Sequence, residues 1–238
     1  MTTNMKFSED DLYTNPTPRL PIALVLDVSP SMSGKEEYGA DPSIDGVPID
    51  LLNDGIKSFH SAIINNDTAR YSAEIAILSF SSIIVREREF KLLEENDIPQ
   101  VELEMNVGGT SLGKAVNEAL DMLEERKREY KKAGTDYYQP WLVVMTDGKP
   151  TDLEHHKLKD SISTMVSNRK LVVFAIGIGD GADLSELEFI SGTRKPQKLK
   201  ELKIEEFFQW LSSSVSRVSA STIGDKVQLD PIDNWADI

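Results

Sequence analysis

Short, almost wholly apolar segments alternate along this chain with longer segments in which apolar residues recur every three or four positions. The apolar segments are Pro21 to Leu26, Trp141 to Met145 and Leu171 to Ile178, and their length and composition predict strands that are covered on both faces. Strands of this kind occur in parallel sheets whose connections are helices. The alternation therefore predicts an α/β protein with an open, mostly parallel, doubly wound sheet and helices on both faces.

Further elements follow from the same periodicities. Tyr71 to Phe80 is a second mainly apolar strand, whereas Ile83 to Leu92 alternates with charged residues, as is typical of a half-exposed edge strand. A brief strand is expected at Gln197 to Leu199. Helices are expected over 49–63, from residues 108–111 to at least 123, near 153–168, near 183–190 and over 204–218.

The composition excludes several classes of function before any motif is considered. The chain has 238 residues, which suits one large domain or two small ones, and no linker divides it. Its 26 basic and 40 acidic residues give a net charge of −14, which argues against binding nucleic acid or anionic membrane surfaces. The absence of cysteine excludes disulfides, thiolate catalysis, zinc fingers and iron–sulfur clusters.

The ends of the chain differ from its centre. Residues 1–20 are polar and are expected to form an N-terminal arm, 21–222 the domain, and 223–238 an acidic C-terminal tail. Apolar residues in that tail, Trp235 among them, predict that it docks on the domain surface. The chain shows no signal peptide, and no apolar stretch reaches the roughly 18 residues of a membrane span, so we expect a cytoplasmic protein.

Carboxylates and hydroxyls follow the predicted strands, at the end where open α/β sheets bind ligands. The first strand leads into Asp27-Val-Ser29-Pro-Ser31, a later helix is preceded by Gly-Gly-Thr110-Ser, and the third buried strand leads into Thr-Asp147-Gly. Oxygen ligands of this kind suit Mg²⁺, Mn²⁺ or Ca²⁺. Alternate residues of a tight loop can point to one side, so the first loop can offer three ligands to one ion. Two carboxylates and neutral hydroxyls leave that ion open to a further ligand.

These three motifs, in this order, resemble the metal-ion-dependent adhesion site of the von Willebrand factor type A domain, and the resemblance covers roughly residues 20–220. It implies a sheet with one antiparallel edge strand. Serines and a threonine would bind the metal directly, aspartates would bind it directly or through water, and an Asp or Glu of a partner protein would fill the remaining position. The cation, with Mg²⁺ expected first and Mn²⁺ or Ca²⁺ next, would be held by Asp27, Ser29, Ser31, Thr110 and Asp147.

The residues within and beside these motifs resemble those of the bacterial TerY-like proteins. Proteins of that group are linked to tellurite resistance and stress and associate with a protein kinase and a phosphatase. The matching segments are Asp27 to Gly34, Gly108 to Ala115, Thr146 to Asp152 and Phe174 to Asp180. The chain departs from that pattern in its first loop, where residues 35–47 are longer and carry several acids. A lid beside the metal is one interpretation of this loop, and its length leaves the identity of the partner open.

Three more polar residues lie within or beside these motifs. Ser33, Ser111 and Asp152 are expected to cap local turns and helices or to support the metal ligands, rather than to bind the ion themselves. The adjacent His155 and His156 are expected not to share a helix face.

One segment nearly matches a nucleotide-binding loop. Gly108, Gly113 and Lys114 have the spacing of a phosphate-binding loop, but Ala115 stands where that loop needs a hydroxyl to hold magnesium. The segment also follows an acidic connector rather than the first buried strand. Both features argue against ATP binding.

The sequence therefore favours a non-enzymatic module that binds a partner protein, with a kinase or phosphatase as the partner that the TerY-like resemblance suggests. One alternative is a metal-dependent enzyme that handles phosphate groups. Such an enzyme would need a general base near the metal, for which the sequence offers only Asp152 or a loop acid such as Glu36. Another alternative is a scaffold whose metal site is vestigial.

Overall fold

A computed structural model of the chain describes residues 11–38, 46–104, 109–147, 149–179 and 181–236. The strands are β1 (Leu20–Asp27), β2 (Ala73–Phe80), β3 (Ile84–Leu92), β4 (Trp141–Thr146), β5 (Val172–Gly177) and β6 (Gln197–Lys198). The helices are α1 (Asp11–Thr14), α2 (Pro48–Ile64), α3 (Ala69–Ser72), α4 (Leu112–Ala133), α5 (Glu154–Ser167), α6 (Leu184–Leu187) and α7 (Ile204–Ser219).

The strands form one sheet in the order β3-β2-β1-β4-β5-β6. β3 runs antiparallel to β2, and every other neighbouring pair is parallel. Helices connect the parallel strands and cover both faces of the sheet. The predicted doubly wound, mostly parallel sheet with one antiparallel edge strand is therefore confirmed.

Alternate residues of β1 contribute to two separate cores, one on each face of the sheet. Ile22 and Leu24 belong to the core formed with α2 and α7, whereas Ala23 and Val25 belong to the core formed with α4. All residues of β1 are buried. Burial of an aliphatic side chain of this size is worth about 1.5–3 kcal/mol, so a strand covered on both faces favours an unbroken apolar sequence over an alternating one.

The start of β2 differs from the prediction. Tyr71 and Ser72 were expected to begin the strand, but they end the short helix α3. Oδ1 of Asn66 accepts hydrogen bonds from the backbone N–H groups of Thr68 and Ala69, at 3.1 and 2.8 Å. These bonds start a helical turn that delays the strand by two residues.

The C-terminal tail docks on the domain, as its apolar residues predict. Trp235 is 1% exposed and packs against Phe207 and Trp210 of α7, with ring centroids 5.0 and 5.2 Å away. The indole N–H of Trp210 donates a hydrogen bond to the carbonyl oxygen of Asp230 at 2.9 Å. Residues 227–236 therefore extend the core that α7 begins.

The predicted N-terminal arm is described only in part. Residues 1–10 lie outside the described residues, and 11–20 contain α1 and the first residue of β1. Across the ranges that the structure describes, none of the helices combines the length and the apolar character that crossing a membrane requires.

The strand order positions one crevice at the centre of the sheet. β1 and β4 lie side by side, and the chain passes from β1 to β2 on one side and from β4 to β5 on the other. Leu26 pairs with Met145, so Asp27 and Thr146 end the two strands next to each other. Ligands of open α/β sheets bind at such a reversal of strand order, outside the carboxyl ends of the strands.

Candidate metal centre

The loop after β1 is shaped by an acidic residue and by a proline. Oδ1 of Asp27 accepts a hydrogen bond from the backbone N–H of Ser29 at 2.8 Å, which turns the chain directly after the strand. Pro30 then begins a 3-10 turn over 30–33, because its fixed φ suits the first helical position. The buried Met32 anchors this turn in the core.

Four of the five predicted metal ligands are joined by hydrogen bonds. The Oγ atoms of Ser29 and Ser31 lie 3.0 Å apart, and the Oγ of Ser31 donates to Oδ1 of Asp147 at 2.8 Å. Asp27 enters the same chain of bonds through the backbone N–H of Ser29. The structure therefore brings the first and third sequence motifs together at the carboxyl ends of β1 and β4.

Thr146, which sequence analysis did not single out, completes the surroundings of Asp27. Its Oγ1 donates a hydrogen bond to Oδ2 of Asp27, so both oxygens of that fully buried carboxylate accept hydrogen bonds. Thr146 is the last residue of β4 and neighbours Asp27 across the sheet. Pairing the first and third buried strands at the sequence level would have placed this hydroxyl beside the carboxylate.

Thr110, the fifth predicted ligand, lies on a loop that is fixed through its backbone. Its N–H donates to Oγ1 of Thr151 at 2.9 Å, and its carbonyl oxygen accepts from the N–H of Thr151 at 2.9 Å. The next N–H, of Ser111, donates to the carbonyl oxygen of Ser81 beyond β2 at 2.7 Å. Thr110 is 7% exposed, and among the described residues no hydrogen bond joins it to the other four predicted ligands. Sequence analysis did not identify Thr151 as its partner.

Two of the three supporting candidates make side-chain hydrogen bonds to the backbone, Ser33 within its own loop and Ser111 to the turn after β2. The Oγ of Ser33 accepts a hydrogen bond from the N–H of Lys35 at 3.4 Å. The Oγ of Ser111 donates to the carbonyl oxygen of Ser82 at 3.4 Å, which ties the Thr110 loop to the turn after β2. Within the described ranges, neither hydroxyl contacts the side chain of a predicted metal ligand.

Asp152, the third supporting candidate, caps α4 from a distant part of the chain. Its carboxylate accepts hydrogen bonds from the N–H groups of Gly113 and Lys114, at 3.1 and 3.4 Å. Ser111 occupies the N-cap position but makes no side-chain cap hydrogen bond. The carboxylate therefore satisfies unpaired N–H groups of the first turn and lies at the positive end of the helix dipole.

Gly113 is one of the residues with the spacing of a phosphate-binding loop. In the structure this glycine has a packing role. A Cβ atom at this position would lie 2.1 Å from the backbone nitrogen of His155. Only glycine allows the first turn of α4 to approach the start of α5 this closely. The spacing that resembles a phosphate-binding loop is thus explained by contact between two helices.

Burial raises the pKa values of both carboxyl groups in the centre, and the charge of Asp27 adds to this effect at Asp147. The pKa of Asp27 is raised because burial penalises its charged form, although hydrogen bonds from Ser29 and Thr146 oppose this. Burial and the neighbouring charge of Asp27 raise the pKa of Asp147 to about 7. In the part of the chain that the structure describes, no Lys, Arg or His side chain forms an ion pair with either carboxylate.

The donor set fits a hard divalent cation. Two carboxylates and the hydroxyls of Ser29, Ser31 and Thr110 offer only oxygen, the ligand atom that Mg²⁺, Mn²⁺ and Ca²⁺ prefer. A divalent cation would also supply a positive charge beside these two carboxylates, and would favour the charged forms that burial disfavours.

Parts of the predicted motifs lie outside the described residues. These are Gly108 before Thr110, Gly148 after Asp147, and residues 39–45 of the long first loop. The interpretation of that loop as a lid therefore stays a prediction.

His155 and His156, which are not expected to share a helix face, nevertheless contact the same carboxylate. Both residues lie in the first turn of α5, and their Nε2 atoms lie 2.7 and 2.9 Å from the same oxygen, Oε2 of Glu186. Neighbouring positions do diverge on a helix, but Glu186 of α6 places one carboxylate oxygen within hydrogen-bond distance of both rings. Sequence spacing alone could not show this third residue.

Comparison with known proteins agrees with this geometry. The family model of the von Willebrand factor type A domain matches residues 22–209. No match was found among the curated proteins.

Solved structures share the fold at low sequence identity. Proximal thread matrix protein 1 from the mussel byssus, with a zinc-occupied MIDAS motif, has a TM-score of 0.56 and 19% identity, covering 86% of this chain and 47% of that chain. A von Willebrand factor type A structure from Catenulispora acidiphila has a TM-score of 0.55 and 15% identity, covering 84% and 43%. The conserved hypothetical protein BatB from Bacteroides thetaiotaomicron has a TM-score of 0.53 and 12% identity, covering 82% and 98%. The chain thus spans about half the length of the mussel chain.

Proposed function

The chain belongs to the von Willebrand factor type A domain family, and we propose that it binds a partner protein through a divalent cation. An Asp or Glu of the partner would complete the coordination of that cation, and no covalent bond would be made or broken. When bound, the cation supplies the positive charge that attracts the partner's carboxylate. The residues that would hold it are Asp27, Ser29, Ser31, Thr110 and Asp147.

The hydrogen bond from Ser31 to Asp147 is the observation that most supports this proposal. It joins the first and third motifs, so four of the five candidate ligands lie in one chain of hydrogen bonds before any ion binds. The carboxylate of Asp27 is buried and that of Asp147 is partly buried. Among the described residues, neither has a cationic side chain as a partner. A divalent cation of the kind present in the mussel protein's MIDAS motif satisfies both features.

The charge of the site explains why a carboxylate would be the partner's ligand. Two carboxylates balance a divalent cation, and the three hydroxyls are neutral, so the ion keeps positions for water or for another anionic oxygen. Mg²⁺ binds about six oxygens in near-octahedral geometry and suits this donor set, with Mn²⁺ or Ca²⁺ as alternatives. The net charge of −14 opposes an acidic partner at long range, so the attraction must come from the ion at short range.

A binding role has more support than an enzymatic one. A phosphate-handling enzyme needs a general base near its metal, and Asp152 was one of two candidates. Both oxygens of Asp152 accept hydrogen bonds from the first turn of α4, which leaves this carboxylate poorly placed to accept a proton. The side chain of Glu36, the other candidate, lies outside the described residues.

The finer assignments form part of the same proposal. The wording of the motifs, such as Thr-Asp147-Gly-Lys-Pro-Thr, supports a TerY-like role in tellurite resistance and stress, with a kinase or phosphatase as the partner. We assign residues 21–222 to the domain, 1–20 to an arm and 223–238 to a tail, and place the protein in the cytoplasm, for which the lack of cysteine offers support.

A pull-down from a lysate of the source cells tests this proposal. The immobilised chain should retain a specific protein in Mg²⁺ and release it in EDTA, and Asp27→Ala should retain little of it in either condition. Ser33→Ala, which changes the same loop outside the cluster, serves as the matched control and should behave as the wild type. Retention that is equal in Mg²⁺ and EDTA would favour the scaffold with a vestigial site.

A further inference from the structure

A second group of side chains, separate from the oxygen-rich centre, has the composition of a transition-metal site. His155, His156 and Glu186 each direct one ligand atom to a common point, and these atoms all lie within 4.8 Å of one another. We propose that they bind a divalent cation of the zinc class, with two imidazole nitrogens and one carboxylate oxygen as protein ligands. This site is independent of the proposed partner-binding function.

Two helices supply the three ligands. His155 and His156 lie in the first turn of α5, and Glu186 lies in α6, after β5. The two Nε2 atoms lie 2.7 and 2.9 Å from Oε2 of Glu186. Metal–ligand bonds of about 2.0–2.1 Å in tetrahedral geometry would separate these atoms by roughly 3.3 Å. The two nitrogen–oxygen distances therefore need to lengthen by only about half an ångström, which the partly exposed Glu186 side chain can provide.

The orientation of both rings is fixed by other contacts. Nδ1 of His155 lies 3.4 Å from Oδ1 of Asp152, so an N–H at Nδ1 leaves Nε2 as the atom that faces the cluster. A carboxylate behind a ligating histidine is the usual arrangement that sets its tautomer and orientation. The ring of His156 stacks on Phe189, with centroids 3.9 Å apart. The two imidazoles are thus held in place by groups outside the cluster.

The burial of the cluster suits a bound ion with an open position. The side chain of His155 is 1% exposed, whereas those of His156 and Glu186 are 36% and 31% exposed. A metal can therefore enter from solvent, and a water molecule can complete its coordination. Two histidines and one carboxylate suit zinc, copper, nickel or iron, whereas Mg²⁺ prefers ligands that offer only oxygen. The histidine cluster should accordingly favour such a metal over Mg²⁺.

Titration calorimetry with Zn²⁺ alone as the probe tests the proposal. The chain must carry no polyhistidine tag, and saturating Mg²⁺ occupies the oxygen-rich centre. We expect the wild type to bind one tight Zn²⁺, and Glu186→Gln and His156→Ala to weaken it by more than the roughly 10–100-fold that loss of an outer partner costs. Glu188→Gln, an exposed glutamate two residues further along, is the matched control and should bind as the wild type.

Two further measurements complete the test. Circular dichroism should show that the variants keep their fold, and Glu186→Gln, which preserves the size of a partly exposed side chain, is the variant least expected to disturb it. With Co²⁺ in place of Zn²⁺, the visible spectrum should show the intense bands of a tetrahedral ion with nitrogen and oxygen ligands. These bands should vanish in Glu186→Gln. Zn²⁺ affinity that is unchanged in both ligand variants, lost in Asp27→Ala, or missing in the wild type would overturn the proposal.

Discussion

The Oγ of Ser31 donates a hydrogen bond to Oδ1 of Asp147 at 2.8 Å, although 116 residues separate the two along the chain. This bond links the loop after β1 to the loop after β4, across the point where the strand order reverses. The two loops are therefore held together by the protein itself. A cation that binds here meets ligands that are already gathered, which lowers the entropic cost of binding.

Metal binding should stabilise the fold. A ligand present at 100 times its dissociation constant stabilises the native state by about 2.7 kcal/mol, or roughly 5–10 °C in melting temperature for a chain of this size. Mg²⁺ should give such an increment with the wild type, as measured by scanning calorimetry. Asp27→Ala should remove the increment, because it deletes one of the two charges that bind the ion.

The control for this experiment is Ser33→Ala, whose hydroxyl faces the backbone of Lys35 rather than the cluster. It should keep the full increment. Equal increments in the wild type and in Asp27→Ala would place the bound metal elsewhere and contradict the assignment of the site.

The affinity for Mg²⁺ should depend on pH below neutrality. The pKa of Asp147 is about 7, above the ordinary value of about 3.9, so in this window the folded chain without metal binds more protons than the unfolded chain. The chain without metal should therefore lose stability as the pH rises from about 4 to 7. The cation must displace that proton, so its affinity should rise over the same window, by roughly tenfold per unit for one proton.

Calorimetric titrations at several pH values, in buffers that differ in ionisation enthalpy, measure both the affinity and the proton released. Proton release should fall to near zero above pH 8. A dissociation constant that does not change between pH 5 and 8 would contradict competition between the ion and a proton on Asp147.

A buried ionic cluster at the opposite end of the sheet should be essential for stability. Glu74 is 1% exposed and lies between Arg19 and Arg126, with N–O distances of 3.3 and 2.7 Å, and it accepts a hydrogen bond from the Tyr130 hydroxyl. Glu74→Gln removes the buried carboxylate that pairs with both guanidinium groups, which should cost about 3–5 kcal/mol. Urea unfolding measures this loss.

Glu129→Gln is the matched control, because Glu129 pairs with the same Arg126 at the surface. An exposed pair of this kind is worth at most about 1 kcal/mol. If the two variants were equally stable, the buried cluster would not have the role that its geometry assigns.

The docked tail should contribute to the stability of the core. Trp235 packs against Phe207 and Trp210, so Trp235→Ala should cost about 3–5 kcal/mol, as expected for loss of a fully buried aromatic side chain. The neighbouring Asn234 is exposed, and Asn234→Ala should be nearly neutral. A melting temperature that is unaffected by Trp235→Ala would mean that the tail does not stabilise the domain.

The fold was predictable because its strands are covered on both faces. Segments such as Pro21 to Leu26 must be apolar throughout to fill two cores, and this signal survives in a single sequence. The start of β2 was not predictable in the same way. The side chain of Asn66 accepts two backbone hydrogen bonds that start α3 and so delay the strand, and such local competition leaves no periodic signal.

The residues of the candidate site could be predicted where they lie close together in the sequence. Asp27, Ser29 and Ser31 lie in one short loop, and their alternate spacing indicates that they can offer oxygen ligands to one ion. Thr146 and Thr151 were missed because their roles depend on which strand or loop lies beside them. The cluster around Glu186 was missed for the same reason, since only the packing of α6 against α5 brings that carboxylate to the two histidines.

The proposal depends most on the partner's carboxylate, and Thr110 offers a way to test it separately from the fold. Thr110→Ala keeps both acidic residues and the backbone hydrogen bonds with Thr151, and it removes one hydroxyl on the loop next to the metal. It should weaken partner binding more than it weakens folding, whereas Asp27→Ala should abolish partner binding. Circular dichroism of each variant establishes that the fold is intact.

The most direct measurement is the affinity of the retained partner, by calorimetry, for the wild type, Thr110→Ala and Asp27→Ala, each in Mg²⁺ and in EDTA. The proposal predicts tight binding by the wild type in Mg²⁺, weaker binding by Thr110→Ala, and none by Asp27→Ala or by any variant in EDTA. Binding of equal affinity in EDTA, or by Asp27→Ala, would contradict recognition through a metal ion.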